Sequence, residues 1–251
     1  MWGQETWTIV LAGALCAAIA AGIAWFLRKR EIEPEDVTLG FLGPSLAAMY
    51  LLVLALSLAT EWSTISSAQQ AVGNEAVAVR QIYWAASGLP QPAQEELQSQ
   101  VRDYLSTVIV HDWPQMQSGT LDNRSDQLLT NMGTFLLRVN ATTSGASNAQ
   151  SYALGQLSVL ASARAERAGA AGSRLPLGVL VAVIATSLIV CVFPFAGGIK
   201  SQRVSLAIAV LQTALVGVTV VVVFQLNNPF TGPLSTTPGP LTTVASLVGA
   251  R

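Results

Sequence analysis

Apolar and polar positions along this chain fall into long blocks. Between Glu5 and Arg28 there are 22 uncharged residues, and between Asp36 and Glu61 there are 24. Each block can cross a hydrocarbon core of roughly 30 Å at about 1.5 Å per residue. The charged stretch that separates them, "RKREIEPEDV" from Arg28 to Val37, then reads as a hairpin loop. A second pair follows, because Arg174 and Lys200 enclose 25 uncharged residues and Val204 to Leu226 supplies 23 more, with "KSQR" between them. The pattern predicts an all-α membrane protein with four spans, at about 7–27, 38–60, 175–195 and 204–226, paired as two transmembrane hairpins over 1–60 and 175–226.

Between the hairpins, residues 61–174 read as a helical extramembrane domain. Apolar residues recur at helical spacing in Ile65, Ala68, Val72, Ala76, Val79, Tyr83 and Ala86, and again in Leu97, Val101, Tyr104, Leu105 and Val108. A third run uses Leu128, Met132, Phe135, Leu136 and Val139. An alanine-rich fourth run covers about 148–170. Breaks are expected at "SGLPQP" and at "DWPQMQSGT", where proline removes a donor and glycine relaxes the backbone. The ending "NNPFTGPLSTTPGPL" predicts an extended, proline-rich tail over 227–251. No internal repeat is defensible.

Composition agrees with a membrane protein, since 51% of residues are hydrophobic and only 11% are charged. A net charge of −1 without a basic patch argues against nucleic acid as a partner, leaving the lipid bilayer and other protein copies. The spans hold no Asp, Glu, Lys, Arg or His, which proton relays and many coupled carriers need. There is no glycine-rich phosphate loop and no Cys/His ligand cluster, so no cofactor or metal is expected. Cys16 and Cys191 both lie in apolar spans and read as buried thiols. His111 stands beside Asp112 with no Ser or Cys nucleophile at a recognisable motif, so no enzyme site emerges. "MWGQETW" lacks the basic start of a signal peptide, and the first span is expected to remain in the protein.

Candidate functional residues concentrate on the second span. Tyr50, Ser57, Glu61 and Thr64 share one helical face, with Leu51, Leu54 and Leu58 beside them. This stripe has two readings. In one it is packing and interfacial anchoring; in the other it lines a central axis, with leucines as a hydrophobic constriction and Glu61 as a cation-attracting ring at the mouth. Elsewhere, Ala14, Ala18 and Gly22 form a close-packing pattern, and Gln212 and Thr219 stand at i and i+7 and call for interhelical hydrogen bonds. Glu75 falls on an apolar face between Val72 and Val79, so it needs a partner, with Arg80, Tyr104 and Trp113 as candidates. Trp7, Trp25 and Trp62 stand near span ends, as amphipathic rings prefer.

The layout and its local motifs resemble the bestrophin-like family known as domain of unknown function 4239. The resemblance is carried by "EPEDVTLGFLGPSLAAMYLLVLALSLA", "SAQQAVGNEAVAVRQIYWAASGLP", "VRDYLSTVIVHDWPQM" and "NNPFTGPL". Ala68, Glu75, Ala76, Pro90, Tyr104, Trp113, Pro114, Pro229, Phe230 and Gly232 look like the family's own, and Asp112 stands where the family more often has Glu. The resemblance implies remote kinship with bestrophins, oligomeric ion channels whose second span lines the pore and narrows it with hydrophobic rings. It also implies a bacterial inner-membrane location.

Orientation divides the two lines of reading. Arg28, Lys29, Arg30, Lys200 and Arg203 place five basic residues in the two short loops, which puts those loops in the cytoplasm and both termini and the middle domain outside it. Bestrophin kinship implies the reverse. Two function classes follow: an oligomeric ion channel, or a non-conducting membrane scaffold within a larger complex.

Overall fold

The computed structural model describes residues 36–118, 123–196, 203–231 and 235–250. The expected first span at 7–27, with Cys16, Trp7 and Trp25, lies outside the described residues, as do the Arg28 to Arg30 cluster, Lys200 and Gly232. Every regular element among the described residues is helical. In chain order these are α1 (Asp36–Ala86), α2 (Ala93–Thr107), a π-helical turn (Val108–Asp112), α3 (Trp113–Gln117), α4 (Arg124–Arg138), α5 (Ser144–Gly172), α6 (Leu177–Ala196), α7 (Arg203–Leu226) and α8 (Gly239–Val248). The chain divides into two compact units, Met1–Glu61 with Arg174–Asn227, and Trp62–Ser173 with Asn228–Arg251.

In the first unit α6 packs against α7, and the apolar core joins Tyr50 and Leu54 of α1 to Val190 and Cys191 of α6 and to Val216 and Val223 of α7. Gly43 permits close packing here, because a Cβ at that position would stand 2.8 Å from the Phe193 ring. Pro44 lies inside α1 without ending it, as apolar helices tolerate when neighbours compensate the lost donor. Length and composition qualify two described helices as membrane spans, Gly43–Ala86 and Ala209–Leu226, and three if α5 and α6 count as one bent span.

The second unit is built as the helical periodicity predicts. Ile65, Ala68, Val72, Ala76, Val79 and Ala86 are buried along one side of α1, and Leu97, Val101, Tyr104 and Leu105 along one side of α2. One expectation is refined and one needs correction. The break expected at "DWPQMQSGT" falls after Gln117 and not at its proline: the π-turn carries the helix from α2 into α3, with the Trp113 N–H reaching back to the Val108 carbonyl. Pro114 then sits in the first turn of α3, directly after the π-turn. Nor is the tail extended throughout. Gly239–Val248 forms α8 with a proline in its first turn, buries Leu241, Val244, Ala245 and Val248, and ends at Gly249 in a left-handed conformation (φ 70°). Proline content alone concealed this helix, since Pro240 falls where the helix needs no donor.

Candidate functional site

The spacing of Tyr50, Leu54, Ser57 and Glu61 places them on one side of α1, and all four are buried in the single chain. That side faces the chain's own packing. The Thr219 hydroxyl donates to the Val216 carbonyl at 2.8 Å, which leaves Tyr50 as the donor in the bond its phenol shares with Thr219. Ser57 returns its hydroxyl to the Val53 carbonyl at 2.8 Å. The candidate stripe therefore splits. Leu51 is 60% exposed, Leu58 and Thr64 are half-buried, and the rest face inward. Leu54 packs in the core of its own unit with Val190 and Val216, and Glu61 is buried in the single chain. Gln212 Nε2 reaches the Val190 carbonyl at 3.5 Å, so Gln212 and Thr219 each bond a neighbouring helix of their unit.

The opposite side of α1 carries what the stripe lacks. Leu52 is 62% exposed and Leu56 61%. They stand one turn apart, with exposed Ala59 at the next turn, and this side of the span has no charge. Within the second unit the exposed side of α1 bears Ser63, Ser67, Gln70 and Asn74 at i, i+4, i+7 and i+11, all polar and uncharged.

The second unit contains a buried charge network built around Glu75. Its carboxylate is fully buried, so an unpaired charge there would cost several kcal/mol. Tyr104 donates to Oε1 at 2.6 Å, while Arg167 Nε donates to Oε2 at 2.6 Å and Nη2 to Oε1 at 3.1 Å, a two-point grip. Arg167 Nη1 donates to Met116 Sδ at 3.0 Å, and its Nη2 lies 3.6 Å from Asp112 Oδ2. Asp112 also accepts from Ser125 and faces Arg164 at 3.8 Å; Arg164 Nε donates to Ser125 Oγ at 3.0 Å and its Nη1 to Asp126. The Trp113 ring meets Phe230 edge-on, centroids 5.5 Å apart, and the Arg167 guanidinium lies 5.9 Å from the Trp113 centroid.

Of the partners expected for Glu75, Tyr104 is one. Arg80 instead stacks on Trp84 at 4.9 Å, and Trp113 joins only through Arg167. Arg167 itself was missed. The signal was present in "LASARAERAGAAG": Arg164 and Arg167 follow Leu160 at i+4 and i+7, so they occupy the buried face of α5. Burial, and next the Glu75 carboxylate, hold the Tyr104 phenol well above its ordinary range, so it remains a proton donor. Chemically the network is a set of buried carboxylates held by guanidinium groups, in which the Glu75 oxygens are both bonded and Asp112 Oδ1 is buried without a hydrogen-bond partner. It ties α1, the π-turn, α4 and α5 together. Tyr104→Phe is expected to lower thermal stability by about 1–3 kcal/mol, the cost of one missing donor to a buried carboxylate; an unchanged denaturation midpoint would show that Arg167 alone suffices.

A family model described as "Bestrophin-like domain" matches residues 7–241. The fold is similar to a crystal structure of a bacterial bestrophin homologue from Klebsiella pneumoniae, with 13% sequence identity and a TM-score of 0.69, covering 99% of this chain and 100% of that one. A point-mutated form of a Klebsiella pneumoniae bestrophin homologue matches at 14% identity and a TM-score of 0.69, covering 99% and 98%. No curated protein matches.

Proposed function

We propose, from the premise that this chain belongs to the bestrophin-like family, that it assembles through several copies into an ion channel of the membrane, with four spans per copy arranged as two hairpins. One observation carries this reading: within its own unit α1 is packed on the side of Tyr50, Leu54 and Ser57, while Leu51, Leu52 and Leu56 are about 60% exposed. In a ring of copies these leucines form an apolar constriction of the kind that closes by losing water. Because the exposed side of the span carries no charge, this reading gives Glu61 no ring at the mouth. Cation preference is then tested separately by Glu61→Gln, whose permeability ratio is expected to match the wild type; a loss of cation preference would return Glu61 to the pathway.

Purified protein in liposomes tests the function. A ring of four or more copies that passes ions supports the channel. A folded oligomer that stays silent, or a monomer, supports a non-conducting scaffold in a larger complex instead.

Charge further supports placing both short loops in the cytoplasm and the helical unit outside it. Arg167 is engaged by the buried Glu75 and Arg164 by Asp126 and Asp112, leaving Arg174 as the exposed basic residue before α6. Ser118→Cys is expected to react with an impermeant thiol reagent on intact cells; protection there reverses the orientation.

A further inference from the structure

We propose that the groove between the start of α2 and the end of α4 binds a small zwitterion, its anionic end held by Arg102 and Arg138 and its cationic end by Glu95 and Glu96. The groove is an open one of about 920 Å³, lined by these four side chains, with Phe135 and Pro92 among its apolar walls. Sites of this volume suit small molecules held by a few placed polar groups.

The charges stand apart in a definite order. On α2, Glu95 and Arg102 lie on one face at i and i+7, two turns and about 10 Å of rise apart. Arg138 comes from the last turn of α4. Among the described residues, Glu95, Arg102 and Arg138 enter no ion pair. Glu96 uses one oxygen, accepting from Gln100 Nε2 at 2.7 Å. The carbonyls at the end of α4, which attract a cation through the helix dipole, are occupied by Gln150 Nε2, which donates to Leu136 O at 2.5 Å and to Val139 O at 3.1 Å.

Charge balance selects the ligand class. A simple anion drawn to the guanidinium groups would sit beside two carboxylates, and a simple cation would meet two guanidinium groups. A molecule with carboxylate and ammonium at opposite ends satisfies both signs at once, and its apolar middle lies over Phe135.

The test is titration calorimetry on the full chain in nanodiscs with 6-aminohexanoate as the probe. Two controls each lack one charge: 6-acetamidohexanoate and 6-aminohexanamide. Saturable binding of the zwitterion is expected, about tenfold or more weaker for either control and for the exposed-site variants Arg138→Gln and Glu95→Gln. Absence of saturable binding overturns the proposal, as does equal affinity for 6-acetamidohexanoate or affinity unchanged in Arg138→Gln.

Discussion

Arg167→Met should lower the stability of the helical unit by about 3–5 kcal/mol, because it leaves a fully buried carboxylate without its cation. Tyr104 would still donate to Glu75, but one neutral hydrogen bond does not offset the desolvation of a charge. At roughly 3 °C per kcal/mol for a unit of this size, the thermal midpoint should fall by about ten degrees. Asp112 would lose a guanidinium 3.6 Å away in the same step, so the effect should exceed that of Tyr104→Phe. The double variant Glu75→Leu with Arg167→Met removes both charges and should recover part of the loss. Recovery should remain incomplete, since Tyr104 then has no acceptor. A midpoint for Arg167→Met within about 1 °C of the wild type would show that Arg167 does not hold Glu75.

Leu52→Ser with Leu56→Ser should raise ion flux through reconstituted liposomes by about tenfold or more. A ring of apolar side chains excludes ions by losing water, and hydroxyls in its place keep the passage wet. Lowering a barrier by about 1.4 kcal/mol already multiplies a rate tenfold. Both positions are more than 60% exposed in the single chain, so the variant should fold with little loss of stability. Leu54→Ser is the control. Leu54 is 8% exposed, packed in the core with Val190 and Val216, and its replacement should destabilise by about 2–5 kcal/mol without raising flux. Flux that rises in Leu54→Ser and not in the exposed pair would return the inward side of α1 to the pathway.

Much of this was legible in the chain. The long uncharged blocks bounded by Glu61 and Arg174 follow from the cost of charge in hydrocarbon, a local property that composition displays. The buried side of α1 from Ile65 to Ala86 follows equally from helical period. That Glu75 needs a partner was readable from its apolar neighbours, because burial of a bare carboxylate is costly whatever the fold. The identity of that partner was not. Arg167 lies 92 residues away, and only the packing of α5 on α1 brings the guanidinium within 2.6 Å. The course of the chain through Pro114 depended on a π-turn that proline statistics do not contain. Which side of the second span faces inward was undetermined for the same reason. Periodicity groups residues on a face, but the choice between an inward and an exposed face rests on what packs there, and Tyr50 meets Thr219 only in the folded chain.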